Sequence, residues 1–272
     1  MISGLYISLR AFIKEIVSRR HLIMQLARRN LRQQFEGSYL GMAWNVMQPL
    51  IFTGILWLVF SIGLRGGGGR GGVPFVVYLI TGMAAWQFFS ANLGRITGVV
   101  KSHSYLVKQM NFSLGIVPVA YLMSALVAHG VFTGIAVIIA GLNGFFAGFY
   151  LLQLVYYSFA LLMLLLGLGW ISSSTSIFVE DVGKIVSIIA QFGFWLTPVL
   201  WDMKSVPEAY RWIVKLNPMA YIVDGFRASI IRGEPFWADP LYTVYFWGVT
   251  ALLLLTGAIV FKRLRPHFAE VL

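Results

Sequence analysis

Residues 116–142 read IVPVAYLMSALVAHGVFTGIAVIIAGL and contain no Asp, Glu, Lys or Arg. A helix crosses the hydrocarbon core of a bilayer with roughly 20 consecutive apolar residues. Since lipid offers no partner to backbone N–H and C=O groups, a segment this apolar must satisfy them internally, as a helix does. The stretch therefore predicts a transmembrane helix.

Further apolar segments flank this one on both sides, and the composition agrees with them. The chain is 58% hydrophobic and 11% charged, whereas a soluble domain is about a quarter charged. We predict an all-α, polytopic membrane protein with six transmembrane helices in a single transmembrane domain over residues 1–272. The other five spans are expected at residues 40–64, 75–93, 150–171, 185–201 and 241–261.

Three segments outside the spans carry most of the charge. Residues 1–36 repeat apolar side chains at helical spacing among basic ones, which predicts an amphipathic interface helix lying on the cytoplasmic membrane surface. Residues 95–112 predict a cytoplasmic coupling segment with a short helix. Residues 202–239 are too charged to cross the bilayer simply, and they predict two short re-entrant helices on the external side.

Helix-end signals subdivide residues 202–239. Ser205 precedes Pro207 and Asn217 precedes Pro218, and each pair resembles a capping side chain followed by a first-turn proline. Gly233 fits as the stop of the second helix. A glycine-rich run at residues 66–72 predicts a flexible external loop between the first two spans.

The charge distribution predicts orientation rather than nucleic-acid binding. The chain has 21 Lys and Arg against 10 Asp and Glu, and the excess lies at the ends of apolar segments, not along one soluble face. Basic residues are more numerous on the side that holds both termini, which places both termini in the cytoplasm. We expect a multi-pass protein of the cell inner membrane that contacts membrane lipid and binds no nucleic acid.

Missing motifs indicate where the driving force comes from. No G-x-x-x-x-G-K-[ST] occurs, so the chain has no P-loop for ATP. Nor do the spans carry the intramembrane acidic or basic residues typical of a proton or sodium relay. The lone His129 is more often hydrogen-bonded packing than a relay. If this protein moves a substrate uphill, the energy must come from outside the chain.

Enzyme chemistry is equally hard to assemble. Glu180 and Asp181 are adjacent, so on a helix they point about 100° apart and form no acid–base pair. The histidines at 21, 103, 129 and 267 lack metal-ligand spacing. The serines and threonine of residues 172–176 have no neighbouring base and suit a helix end. We predict no catalytic, cofactor-binding or metal residue.

The flanks of the first and fifth spans resemble the type-2 ABC transporter permeases, in the branch that exports polysaccharides such as O-antigen, capsule and teichoic acid. The similarity covers nearly the whole chain. It rests on RRNLR at 28–32, GSYLGMAW at 37–44, Pro49, EDV at 180–182, TPVLW at 197–201, VP at 206–207, LNPM at 216–219 and DGFR at 224–227. The chain departs from the family at Glu180, where Arg is usual, and at Phe112-Ser113, where Phe-Pro is usual.

The resemblance implies a homodimer bound to two ATPase subunits, with ATP and Mg in those subunits and no cofactor in this chain. A lipid-linked polysaccharide would pass along the dimer axis. The implied ATPase-coupling residues are Arg28, Arg29, Arg32, Glu36, Arg95, Lys101, His103 and Lys108, although Lys101 and Lys108 also suit simple headgroup contact. The implied external gate residues are Pro207, Asn217, Pro218, Asp224 and Arg227. ATP binding in the partner would draw the cytoplasmic segments together and open this gate.

Aromatic residues deep in the first, second and fifth spans are candidates for the substrate path. An aromatic ring can stack on the apolar C–H face of a sugar, so a heterogeneous polymer can slide without being trapped by tight hydrogen bonds. Contact with lipid is the alternative for each of them. The candidates are Trp57, Phe60, Trp86, Phe88, Phe89, Phe192, Phe194 and Trp195.

Three other functions remain open from the sequence. A drug or small-lipid exporter of the same family would need a closed pocket rather than a continuous path. A membrane-embedded glycan-lipid transferase would need clustered acidic or histidine residues at one membrane face. A passive channel or structural subunit would need no ATPase partner.

Overall fold

The computed structural model describes residues 14–33, 41–63, 72–107 and 114–272. Its helices are numbered here in chain order. They are α1 (Arg20–Gln33), α2 (Met42–Leu58), α3 (Phe75–Thr97), α4 (Val99–Ser102), α5 (Ser104–Val107), α6 (Ile116–Leu142), α7 (Gln153–Thr175), α8 (Asp181–Leu196), α9 (Arg211–Lys215), α10 (Pro218–Arg227), α11 (Pro240–Leu264) and α12 (Phe268–Val271). A π-helical turn extends α2 over Val59–Gly63 and another extends α10 over Ala228–Arg232, while a 3₁₀ turn, Gly148–Leu152, leads into α7.

Five helices in the described ranges are long and apolar enough to cross a membrane. They cover Ala43–Gly63, Phe75–Thr97, Ile116–Leu142, Gly148–Thr175 and Pro240–Val271. The all-α, multi-pass prediction is thus confirmed, and these helices coincide with the first four predicted spans and the last.

The predicted fifth span, at residues 185–201, is not one continuous helix. Helix α8 has 16 residues, about 24 Å at 1.5 Å per residue, and it ends at Leu196. Thr197 is extended, with φ −91° and ψ 138°, because the residue before a proline is pushed away from helical conformation and Pro198 follows. The count of six spans remains a prediction.

Helix α3 is the structural axis of the molecule. It packs against α2, α6, α7, α8 and α10, and 78% of its most apolar stretch is buried. The most extensive helix pair is α7 with α11, where two glycines permit close contact. A Cβ on Gly167 would lie 2.9 Å from the backbone of Leu253, and one on Gly257 would lie 2.6 Å from the Gly167 carbonyl.

Helix α1 is amphipathic, as predicted for residues 1–36, but its apolar face packs on protein. Ile23 and Leu26 are buried against Ile116 and Ala120 at the start of α6, while the arginines of α1 are exposed. The first 13 residues and Glu36 lie outside the described residues.

The segment predicted for cytoplasmic coupling, residues 95–112, begins inside α3 and continues as two single-turn helices. The short helices α4 and α5 are separated at His103, whose ring nitrogen lies 2.8 Å from the Val99 carbonyl oxygen. Lys108 and the Phe112-Ser113 pair lie outside the described residues, as do most of the glycine run at 66–72.

Residues 202–239 contain the two predicted short helices, α9 and α10. Asn217 caps α10 by accepting a hydrogen bond from Met219 N at 3.0 Å, and Gly233 ends its π-helical extension with φ +64°, so both predictions are confirmed. The cap predicted at Ser205 is wrong. Ser205 lies in a 3₁₀ turn, Met203–Ser205, which Asp202 caps by accepting from Lys204 N at 2.9 Å, and α9 itself has no side-chain cap.

Candidate functional site

A cavity of about 860 Å³ lies between α2, α3, α6 and α8. Aromatic side chains from all four helices form part of its walls. The Phe, Tyr and Trp residues that line it are Phe52, Trp86, Phe88, Tyr121, Phe132, Phe194 and Trp195. Among the described lining residues Arg95 alone carries a charge, and none is acidic.

The cavity collects four of the eight aromatic residues predicted for the substrate path. Trp86, Phe88, Phe194 and Trp195 line it. Phe89 packs behind Trp86, with ring centroids 5.5 Å apart. The remaining three lie outside the cavity lining: Phe60 packs on Phe75, and Trp57 and Phe192 are exposed.

Trp86 on α3 contacts an aromatic ring of α8 that in turn contacts a ring of α2. Its ring centroid lies 5.8 Å from that of Phe194 on α8, and Phe194 lies 6.4 Å from Phe52 on α2. A Cβ on Gly193 would sit 3.1 Å from the Trp86 indole, so a small residue at position 193 lets α8 approach the ring. Three helices thus share one aromatic cluster.

Polar side chains of α3 and α6 form another part of the wall. They are not among the site residues predicted from the sequence. The Tyr121 hydroxyl donates to Asn92 Oδ1 at 2.8 Å, and Asn92 Nδ2 donates to the Phe88 carbonyl at 2.7 Å. His129 Nε2 lies 3.0 Å from Ser158 Oγ, while its Nδ1 is buried without a hydrogen-bond partner. The signal in the sequence is a polar residue inside an apolar span, which lipid contact would disfavour.

A second site centres on Arg227 in the segment predicted to be the external gate. Its side chain is 3% exposed and lies over the Tyr78 ring, 3.5 Å from the centroid. The guanidinium donates to the carbonyls of Pro198 at 2.6 Å and Val199 at 2.7 Å. A Cβ on Gly82 would lie 2.6 Å from Arg227 Nη2. Arg227 therefore ties α10 to α3 and to the turn after α8.

None of the other predicted gate residues forms an ion pair with Arg227 in the described part of the chain. Asp224 pairs with Arg232 at 3.0 Å. Asn217 Nδ2 donates to Thr197 Oγ1 at 2.8 Å, which fixes α10 to the end of α8, and Pro207 lies in an exposed turn. The gate function of these residues remains a prediction.

The entry to the last span is fixed by an ion pair. Lys215 Nζ lies 2.7 Å from Asp239 Oδ2, and Asp239 also caps α11 by accepting from Tyr242 N. The hydrogen bond from Lys215 holds the pKa of the Asp239 carboxyl below its ordinary range, because it favours the ionised form.

Comparison with known proteins identifies the family of this chain. The sequence profile of the ABC-2 type transporter family matches residues 21–231. The chain belongs to the ABC-2 type transporter family. It is therefore a multi-pass membrane chain of a transporter permease family, which is not itself catalytic.

The relatives of this ABC-2 chain include several export proteins. It is 25% identical to the O-antigen export system permease protein RfbA of Klebsiella pneumoniae over 257 residues, 92% of this chain and 95% of the relative. It is 22% identical to RfbA of Myxococcus xanthus, over 95% of this chain and 98% of the relative. It is 22% identical to the polysialic acid transport protein KpsM of Escherichia coli, over 75% and 79%.

In this ABC-2 chain the predicted coupling residues gather from three parts of the sequence. Arg28, Arg29 and Arg32 line a groove on α1, and the Arg29 guanidinium lies 5.6 Å from the ring centroid of Tyr105 on α5. Lys101 on α4 pairs with Glu180 at 3.3 Å. Arg95 instead lines the cavity. Contact of these residues with an ATPase remains a prediction.

Glu180, where the family usually has Arg, thus has a partner. Both side chains of the Lys101–Glu180 pair are more than half exposed, so the pair contributes at most about 1 kcal/mol. A buried pair of bonds lies beside it: Thr97 Oγ1 donates to Ser172 Oγ at 2.9 Å, and Ser176 Oγ donates to the Thr97 carbonyl at 2.7 Å. Two of the serines expected to suit a helix end therefore also join α7 to α3.

Proposed function

We propose that this chain is the membrane-spanning permease subunit of an ATP-driven exporter that moves a lipid-linked polysaccharide across the inner membrane. Both termini lie in the cytoplasm, and α8 with the turn after it makes the sixth crossing. ATP and Mg are bound and used by a separate subunit. This chain supplies the path and binds no cofactor and no nucleic acid.

The aromatic cavity is the observation that carries this proposal. Aromatic rings of α2, α3, α6 and α8 line it, and none of its described lining residues is acidic. Such a wall contacts sugar C–H faces or lipid without strong ionic attachment, so a ligand can move along it. The printed names of the relatives, O-antigen export and polysialic acid transport, support polysaccharide as the cargo.

A paired substitution on α8 tests the path. Trp195 and Phe192 are both exposed, at 59% and 61%, but only Trp195 lines the cavity. We expect Trp195→Ala to reduce surface polysaccharide several-fold at unchanged protein level, and Phe192→Ala to leave it unchanged. Equal export by both variants would contradict this path, and normal surface polymer after gene disruption would contradict the function.

A second copy of this chain completes the transporter. Only 6% of the most apolar stretch of α2 is buried, so most of this helix needs another apolar surface. The chain has no cysteine, so single-cysteine variants report contacts cleanly. We expect oxidative cross-linking of Leu58→Cys in membranes and none of Leu252→Cys, an equally apolar and exposed position on α11. Monomer alone at both positions would argue against this dimer.

Two ATPase subunits dock on the predicted cytoplasmic side. The exposed arginines of α1 approach α5 there, with the Arg29 guanidinium 5.6 Å from the Tyr105 ring centroid. Purified alone, the chain should hydrolyse no ATP. The double substitution Lys101→Glu and Lys108→Glu should weaken co-purification of the ATPase; substantial intrinsic hydrolysis, or unchanged ATPase binding and turnover, would count against this division of roles.

A drug or small-lipid exporter of the same family is the second candidate. The cavity volume of about 860 Å³ falls within the range of small-molecule pockets, which favours this alternative. The two differ in the ligand that stimulates ATP hydrolysis of the assembled transporter. Stimulation by amphipathic drugs, without any change in surface polysaccharide after gene disruption, would select the second candidate.

A further inference from the structure

The turn after α8, residues 197–201, closes the end of that helix with its own side chains. The last carbonyls of a helix have no intrahelical partner. Here Thr197 Oγ1 donates to the Gly193 carbonyl at 2.7 Å, and the indole N–H of Trp201 donates to the Trp195 carbonyl at 3.0 Å. The turn and the last residues of α8 are therefore joined as one unit.

Helices α3 and α10 hold this turn from outside, and Arg227 is the centre of the contact. Its guanidinium lies 3.5 Å from the centroid of the Tyr78 ring on α3 and donates to the carbonyls of Pro198 and Val199. The Tyr78 hydroxyl in turn donates to the Trp201 carbonyl at 2.8 Å. A rigid fork of donors fixes the orientation of the turn as well as its position, which a single ammonium would not do.

The rest of α8 is held weakly within the chain. The structure describes every residue of this helix, and of these only Val186 and Phe194 are buried. The Lys101–Glu180 pair, just before its first residue, is exposed and therefore weak. Rotation of α8 about its own axis is thus set mainly at the turn that ends it.

A small rotation of α8 would change which aromatic residue lines the cavity. Successive residues of a helix are about 100° apart, so Phe192 and Trp195 differ by about 60° around the axis. Trp195 lines the cavity and Phe192 does not, although both are exposed. Phe194 lines it too, with its ring centroid 6.4 Å from that of Phe52 on α2. The composition of this wall therefore depends on the angle at which α8 is held.

We infer that Arg227 is a positioning residue for the cavity. Through the carbonyls of Pro198 and Val199 it sets the rotation of α8, and this rotation places Trp195 rather than Phe192 on the wall. Arg227 is not among the described residues that line the cavity, so it acts through the turn. Only the assignment of the cavity to the export path rests on the proposed function.

Cross-linking of the full chain in membranes tests this inference without measuring export. The chain has no cysteine, so Phe52→Cys can be combined with Phe194→Cys or with Phe192→Cys and treated with an ethylene-bridged bis-thiosulfonate. Mass spectrometry of the linked peptides measures the intrachain product. We expect a larger yield from the pair with Phe194→Cys, and Arg227→Lys should lower the ratio of the two yields several-fold.

Arg232→Lys is the matched control. Arg232 lies on the extension of α10, and its hydrogen bonds run to Asp224 and Glu234 rather than to the turn after α8. This variant loses an arginine fork from the same segment without releasing the turn, so the ratio should stay at its wild-type value. A wild-type ratio in Arg227→Lys would overturn the inference, and so would an equal fall in Arg232→Lys.

A milder variant keeps the test decisive if Arg227→Lys does not fold. Tyr78→Phe leaves the ring beside the Arg227 guanidinium but removes the hydrogen bond to the Trp201 carbonyl. It should lower the same cross-linking ratio by a smaller factor. No change in the ratio for Tyr78→Phe, where it is the only variant that folds, would overturn the inference.

Export in cells gives a readout whose pattern a loss of stability alone would not change. In the otherwise wild-type chain Trp195→Ala should reduce surface polysaccharide and Phe192→Ala should not. With Arg227→Lys present, we expect Phe192→Ala to reduce export and Trp195→Ala to lose most of its effect. The same order of effects in both backgrounds would contradict the positioning role. Absence of any effect of Trp195→Ala in the otherwise wild-type chain would remove the proposed path, and the cross-linking ratio would then decide the positioning role by itself.

Discussion

Helices α2 and α3 are both apolar enough to cross a membrane, yet the fold treats them oppositely. In α3, 78% of the most apolar stretch is buried, against 6% in α2. Helix α3 packs against α2, α6, α7, α8 and α10, whereas α2 packs mainly against α3 and α6. The comparison teaches that hydrophobicity assigns a helix to the membrane but not to the protein interior. The inner helix sets the architecture, and the outer one offers surface to lipid or to a second copy.

Glycines at similar depth in the two helices should give the largest contrast. A side chain at Gly82 in α3 would meet the Arg227 guanidinium at 2.6 Å, whereas Gly54 in α2 has nothing within 4 Å. We expect Gly82→Val to lower the free energy of unfolding by about 3 kcal/mol and Gly54→Val to change it by less than about 0.5 kcal/mol. Thermal melting in detergent measures both, and equal shifts would break the comparison.

Loss of the Arg227 contacts with α3 and with the turn after α8 should have the next largest effect on stability. Arg227→Met leaves the carbonyls of Pro198 and Val199 without their donors, which we expect to cost about 2–4 kcal/mol of stability. Arg227→Lys should recover only part, because an ammonium cannot reproduce the fork. Arg263→Met, at an exposed position, controls for loss of a charge. A wild-type melting temperature for Arg227→Met would show that these contacts contribute nothing.

Loss of the α10 cap should cost less. The Asn217 side chain accepts from Met219 N and donates to Thr197 Oγ1, so Asn217→Ala removes one capping bond and one bond to the turn after α8. About 1–2 kcal/mol of destabilisation is expected, measured by the same melting curves. Asn217→Asp keeps the cap and should retain about half of this stabilisation. Loss of all of the stabilisation in this variant would mean that capping is unimportant.

The exposed pair at the predicted cytoplasmic side should matter little for stability. Lys101→Glu should destabilise by no more than about 1 kcal/mol, and adding Glu180→Lys should restore the wild-type value, which a double-mutant cycle tests. The exposed Asp181–Lys184 pair gives a matched cycle. A coupling energy well above this would mean that the junction is more rigid than its exposure suggests.

The smallest effect is a dependence on pH at the start of α11. The hydrogen bond from Lys215 lowers the pKa of Asp239 from its ordinary value of 3.8. Its contribution is therefore complete above about pH 4 and is lost as the pH falls through the lowered pKa of the folded state. Melting curves between pH 5 and roughly pH 3 should show this loss in the wild type. In Lys215→Met most of this pH-dependent loss of stability should disappear. An unchanged dependence of the melting temperature on pH would exclude the Lys215–Asp239 pair as the cause.

Part of the fold and site could be predicted because it depends only on residues that are close together in the sequence. The asparagine and proline at 217 and 218 fix the start of α10 locally, and Gly233 fixes its end through a left-handed backbone. The predicted fifth span begins after the start of α8 and runs past its end, since hydrophobicity continues through Thr197 while Pro198 stops the helix at Leu196. Trp195 and Phe192 are both aromatic residues of the same apolar segment, so the sequence does not distinguish them. Only the orientation of α8 places Trp195, and not Phe192, in the cavity lining.

By itself, the sequence determined that this chain is helical, lies in a membrane and lacks a P-loop, because hydrophobic length and motif spacing are properties of consecutive residues. Only the tertiary structure decided that α3 is the axis, that Gly167 and Gly257 among 28 glycines mark a close crossing of α7 and α11, and that Arg95 lines a cavity. These depend on which helix faces meet. In spans that are apolar all round, hydrophobicity does not distinguish one face from another, so packing makes the choice.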